Sequence, residues 1–358
     1  MEQLITEIYD IIQDYRIEEK LMSEEIIKTW IEQFDEDDRI FILEEMKNIL
    51  GKRYISRVDA KKMVKEMIEF LTKEFDFENP RDFLLQSCFI DNQHEGKSQK
   101  ILLKFIDEII HHEYGINTKD CNHENPAFYI YADDVFCTGD TFVKSMTKND
   151  AKDKGWFHQI SVNGKTNLEN FKQNKAKLVL SYFSVHKPNI SNVQKRIYRE
   201  LDNYSIGYVY AWEIVIDKNV NDNSEMDFIF PKEDLDNELL VNCRQQIEEK
   251  IAERGFLNGK KIVFRPSNKP DIENFFTSPN NRDRFEKIIL NKCIEIYNSS
   301  PTLYNTLRPR PLGYGLYGDV SLGFGTLIFT WRNVPYNVPL VFWYKNNSWL
   351  PLFERNHT

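Results

Sequence analysis

The 358-residue chain predicts an α/β fold built on a parallel sheet, with a helical N-terminal part and an elaborated C-terminal extension. Three observations predict it. Runs such as 127–132, 176–185 and 208–216 are rich in apolar and aromatic residues and free of Gly and Pro, as strands buried on both faces are. Helix-periodic segments alternate with those runs, which is the pattern of a parallel sheet with crossover helices. From Arg308 onward, Gly and Pro punctuate short aromatic pieces, which suits loops and brief strands.

Residues 1–78 read as a helical domain. Leu4, Ile5, Ile8, Ile11 and Ile12 form one stripe. Ser23-Glu24-Glu25 caps a second helix carrying Ile26, Ile27, Trp30, Ile31 and Phe34. A third carries Ile40 to Leu50 and stops at Gly51, and a fourth runs from Asp59 through Leu71. A compact bundle follows, winged-helix-like in outline, serving as an adaptor or as a packing subdomain. Asn79-Pro80 marks the boundary to an α/β domain with its extension over 79–358. There, Phe83-Leu84-Leu85 with Cys88-Phe89-Ile90 is a strand candidate, and Ile101 to Ile110 is a helix. Residues 148–176 are polar and insertion-like. The 176–185 strand leads to His186-Lys187-Pro188 and a helix through Val193, Ile197 and Leu201. Two further helices, over 239–254 and 282–297, flank a short strand at 261–264.

Composition narrows the function. The net charge of −9 argues against a general duplex binder, which gains most of its affinity by neutralising phosphates. No segment is apolar enough to span a bilayer, and Met1-Glu2-Gln3-Leu4 lacks a signal core, so a cytoplasmic protein without membrane partners is expected. The five cysteines are scattered and never in a Cys-x-x-Cys pair, which makes neither a disulfide framework nor a zinc site. With 25 Phe and 17 Tyr, aromatic packing should dominate the core.

The most informative stretch is 127–141. Apolar residues lead into Asp133-Asp134, then Val135-Phe136, then Cys137-Thr138-Gly139-Asp140-Thr141. Phe142, Val143 and Met146 continue on one helical face, so the Thr-Gly-Asp-Thr turn opens a helix. Backbone N–H groups at such a turn can hold an anion. The acids fall where the strand leaves the sheet.

This segment resembles the phosphoribosyl pyrophosphate signature of type I phosphoribosyltransferases: an apolar run, an acidic pair, two apolar residues, any residue, then Thr-Gly-x-Thr. The resemblance implies a phosphoribosyltransferase-like core. It implies that Asp133 and Asp134 hold the ribose hydroxyls, and that Cys137, Thr138, Gly139, Asp140 and Thr141 wrap the 5′-phosphate. Asp140 must then point away from that phosphate. By position, Gly96, Lys97 and Ser98 are the equivalents of the pyrophosphate loop, or else an exposed charged loop. They are no P-loop, because Asp91 stands where that motif needs Gly. Mg²⁺ would arrive with the phosphoribosyl ligand, with no dedicated metal site.

The tail, with Arg310-Pro311-Leu312-Gly313, Asn333 to Leu340 and Trp349-Leu350-Pro351-Leu352-Phe353-Glu354-Arg355, resembles a bacterial phosphoribosyltransferase-like group encoded beside antiphage and conflict systems, including retron-type loci. Trp30-Ile31-Glu32-Gln33-Phe34 resembles that group too. The resemblance implies an effector or regulator of antiphage defence. Its ligand would be phosphoribosyl pyrophosphate or a nucleotide, and its partners other defence proteins or a reverse-transcriptase and nucleic-acid complex. Three readings stay open: a pentosyl transferase, a non-catalytic sensor of a nucleotide or nucleic-acid 5′-phosphate, and a glycosidase-like toxin acting on nucleotides or nucleic acid.

Overall fold

The computed structural model describes residues 1–92, 98–121, 125–150, 153–200, 208–216, 225–255, 262–304, 306, 308–315 and 321–355. In chain order, helices α1 (Glu2–Ile12), α2 (Glu24–Glu32) and α3 (Glu36–Arg53) lead to strand β1 (Tyr54–Ile55), α4 (Arg57–Glu74), α5 (Pro80–Leu85), β2 (Ser87–Phe89) and α6 (Ser98–Tyr114). Then come β3 (Phe128–Phe136), α7 (Asp140–Thr147), α8 (Asn167–Gln173), β4 (Lys177–His186), α9 (Lys187–Glu200) and β5 (Tyr208–Ile216). The chain continues with α10 (Glu238–Glu253), α11 (Pro279–Asn298), α12 (Pro301–Tyr304), β6 (Phe329–Thr330) and α13 (Leu340–Trp343). The expected α/β class with a parallel sheet is observed.

Two compact units emerge, one from 1–57 with 217–357 and one from 58–216. In the first, α1, α2 and α3 pack on one another. Ser23 caps α2 by accepting the Ile26 N–H, as its sequence predicts. The C-terminal tail folds back onto these helices. Tyr15 donates to the Glu354 carbonyl at 2.9 Å. The indole N–H groups of Trp30 and Trp349 both donate to the Val341 carbonyl, at 3.2 and 3.0 Å. β1 pairs in parallel with β6, Tyr54 opposite Phe329. This unit also buries charge. Arg282 is fully buried and reaches Glu273, Glu286 and the carbonyls of Met226 and Phe228. Arg265 meets Glu286 at 2.7 Å.

The second unit is a four-stranded, all-parallel sheet in the order β2-β3-β4-β5. One face carries Tyr129, Tyr131, Leu178, Leu180 and Tyr182, packed against Phe142, Val143 and Met146 of α7, Phe171 of α8, and Val193 and Ile197 of α9. Phe128, on the alternate face, meets Phe75 and Phe83 at ring-centroid distances of 4.3 and 5.3 Å.

Local outcomes differ from expectation in three places. Phe83-Leu84-Leu85 is helix, not strand. Asn79 accepts the Asp82 N–H and Pro80 takes the first helical position, so the residues read as a boundary are a helix start. The strand candidate shrinks to Ser87–Phe89. Residues 262–264 form no strand, although Arg265 makes one isolated bridge to Lys232; Lys261 lies outside the described residues.

Candidate functional site

The site is built around the carboxyl end of β3. Sequence reading ends the strand at Ala132, whereas the ladder continues through both acids to Phe136. β4 is long enough to keep pairing: Asp133 lies opposite Tyr182, Val135 opposite Ser184, and Phe136 opposite Val185. On the other side, β2 stops early, its last partner pair being Phe89 with Ile130. Beyond Ile130, β3 therefore has a local edge. The Ile90 N–H reaches the Ile130 carbonyl at 2.8 Å, and Gln99 of α6 donates its side-chain amide to the Ala132 carbonyl at 3.4 Å. A side chain thus takes over where the ladder ends, as a buried edge requires.

The acidic pair sits at this edge. Strand alternation sends Asp133 and Asp134 to opposite faces, so they do not form a side-by-side couple. Asp133 is 9% exposed and shares its face with Tyr131 and Tyr182. Its Oδ1 accepts the Asp134 N–H at 2.9 Å, and Asp134 Oδ1 accepts the Val135 N–H at 3.0 Å.

The loop follows at once. Gly139 is left-handed, with φ 67°, and caps α7. A Cβ there would collide with Val193 and come within 2.9 Å of the Phe136 ring, so this position needs glycine both for its backbone and for its space. The Val143 N–H closes the first helical bond to the Gly139 carbonyl at 2.9 Å. The Asp140 N–H is taken by the Thr138 hydroxyl at 3.2 Å. Helix geometry leaves the Thr141 and Phe142 N–H groups without an intrahelical acceptor. Cys137 and Gly139 are buried, Thr138 and Asp140 partly so, and Thr141 is exposed.

α9 completes the site, and sequence reading assigned it no part there. Asn189 donates to the Cys137 carbonyl at 2.7 Å. Val193 rests on Gly139. Arg196 pairs with Asp140 at 2.6 Å, which accounts for an acid in the turn. A single motif could not reveal these partners, because they lie about fifty residues away in the next βα unit. His186, a strand-end residue noted in the sequence, is fully buried as the last residue of β4.

Two fully buried side chains at this end carry an atom with no hydrogen-bond partner among the described residues: Gln99 Oε1 and Ser184 Oγ. Buried polar atoms are almost always paired, so these two call for a partner such as a water or a ligand, as do Asn174 Nδ2 and Gln246 Oε1 elsewhere in the chain. Of the remaining sequence candidates, Gly96 and Lys97 lie outside the described residues. Ser98 is the first residue of α6. Among the described residues, no group of three or more His, Cys, Asp or Glu is arranged to hold a metal ion, and no helix is long and apolar enough to cross a membrane.

No curated protein matches the chain, and no solved structure does. A family model does match, that of PRTase-CE, over residues 27–355. The match takes in the acidic strand, the glycine turn, α9 and the returning tail together, and with it the chain belongs to the phosphoribosyltransferase-like PRTase-CE family.

Proposed function

We propose that the chain binds a 5-phosphoribosyl ligand, phosphoribosyl pyrophosphate or a nucleotide, at the carboxyl end of β3. One observation carries this reading. An acid pair on a buried parallel strand is followed, with no intervening element, by a left-handed glycine that opens a helix. Carboxylates suit sugar hydroxyls, and open N–H groups suit a phosphate. Asp133 and Asp134 would orient the ribose from the two faces of the sheet. The hydroxyls of Thr138 and Thr141, the backbone from Cys137 through Gly139, and the N–H groups opening α7 would hold the 5′-phosphate. Asp140 turns aside to Arg196. Gly96, Lys97 and Ser98 are the residues the resemblance assigns to the pyrophosphate.

Mg²⁺ would enter as part of the ligand's pyrophosphate complex, neutralising its charge. If turnover occurs, an acceptor nitrogen bonds to ribose C1′ as the C1′–O bond to pyrophosphate breaks, and the electron pair leaves with pyrophosphate. The chain's part is orientation and exclusion of water. The tail's resemblance to defence-associated proteins supports a role as an effector or regulator in antiphage defence. A sensor without turnover draws support from the ties of Asn189 and Arg196 to the loop, since ligand binding there would be felt by α9.

Calorimetry with phosphoribosyl pyrophosphate and Mg²⁺ tests the proposal. Wild type should bind, and the Asp133→Asn/Asp134→Asn variant should lose about tenfold or more, as expected when charge-assisted hydrogen bonds are removed. No binding at millimolar ligand, or equal binding by both proteins, refutes it.

A further inference from the structure

Asp140 poses an electrostatic problem for the proposed site. It stands in the first turn of α7, inside the segment assigned to a dianionic phosphate. An uncompensated carboxylate at that range repels phosphate strongly enough to cancel much of what the helix start offers. The structure supplies compensation from outside the loop. Arg196 Nη1 lies 2.6 Å from Asp140 Oδ1, with Asp140 only 18% exposed and Arg196 39%. The same helix fixes the loop twice more, through Asn189 on the Cys137 carbonyl and Val193 against Gly139. Gln99 Oε1 and Ser184 Oγ, fully buried and without a partner among the described residues, leave room for a polar partner near the same strand end.

We infer that Arg196 is a positioning residue of this anion loop: by drawing Asp140 toward α9 and neutralising it, Arg196 makes the Thr138–Thr141 turn able to accept a phosphate. The inference rests on the function proposed above and adds a residue that no signature contains. It also explains how an acid is tolerated in the turn. The two residues are predicted to act asymmetrically. Loss of Arg196 frees a repulsive charge, whereas loss of Asp140 removes that charge.

Ribose 5-phosphate, titrated by calorimetry into wild type, Arg196→Gln, Asp140→Asn and the double variant, reads this directly. Arg196→Gln should bind about tenfold more weakly, the scale of one unscreened unit charge near the phosphate. Asp140→Asn should bind as tightly as wild type or more so, and the double variant should recover. Should Arg196→Gln fail to fold, equal affinities of Asp140→Asn and the double variant carry the same test. Equal weakening by both single changes would show an ordinary structural ion pair and overturn the inference. A double variant as weak as Arg196→Gln would make Arg196 a direct ligand contact and overturn it too. Wild type that binds while a folded Arg196→Gln binds equally well defeats this inference alone. Wild type that binds neither ribose 5-phosphate nor phosphoribosyl pyrophosphate defeats the proposed function, and this inference with it.

Discussion

The two units bury polar groups in opposite ways. The first closes its charges on one another: Arg282 and Arg265 share Glu286, whose carboxylate also takes the Phe230 N–H at 3.0 Å, and Arg282 further holds Glu273. Burial pushes the Glu286 carboxyl up, while the two guanidiniums and that N–H pull it back down. The second unit has an aromatic and aliphatic sheet core; of its buried polar side chains, Thr72, Ser87 and Asn170 are satisfied within their own neighbourhoods, while Asp133, Ser184, His186 and Gln99 lie toward the end of β3 and β4 where the acid pair sits. Buried charge alone is therefore a poor marker of function. A closed network satisfies its own charges, whereas the polar groups at the strand exit, two of them without partners among the described residues, are where the ligand site is proposed.

The largest expected effect lies in the first unit. Arg282→Ala strands Glu273 and Glu286 in the interior and should cost about 3–5 kcal/mol, the scale for breaking a buried ion cluster from one side. Chemical denaturation measures the loss, and a cost below 1 kcal/mol would mean the cluster is hydrated rather than closed. Next comes Gly139→Ala in the second unit. Strain at positive φ and the collision with Val193 should cost about 1–3 kcal/mol, and phosphoribosyl binding should fall with it. A variant of wild-type stability would show that α9 does not press on the loop.

The smallest effect concerns pH. Burial pushes the Lys250 ammonium down to about 8, against opposing support from Cys243 and Glu253. Below that value both folded and unfolded chains carry the proton, and the folded state bears the full cost of the buried charge. Between about 8 and the ordinary 10.5, only the unfolded chain keeps the proton, so this group makes stability rise with pH. Lys250→Met should be more stable than wild type at pH 7, by less than about 1 kcal/mol given solvent screening. That advantage should shrink by pH 10. Stability curves of the two proteins that run parallel across this window would refute it.

Legibility in the sequence followed locality. β4, α10 and α11 were readable because an apolar run or a helical periodicity lies within one element; the caps of the two helices, Asn237 and Ser278, came only with the structure. The glycine turn was readable because its residues are contiguous. The extent of β3 was not, since it depends on how far β4 keeps pairing and how early β2 stops. The β1–β6 pair joins residues about 275 positions apart, beyond any local pattern. Arg196 is one basic residue on an amphipathic helix, and only the fold brings it to Asp140.

The central claim is that the acid strand and its glycine turn form one phosphoribosyl grip. Backbone amide NMR of the full chain, titrated with phosphoribosyl pyrophosphate and Mg²⁺, tests it most directly. The account predicts that the amides of Asp133 through Phe142 shift together with a single saturating affinity, while those around Arg282 stay fixed. Saturable shifts confined to other segments, or none at all, would contradict it.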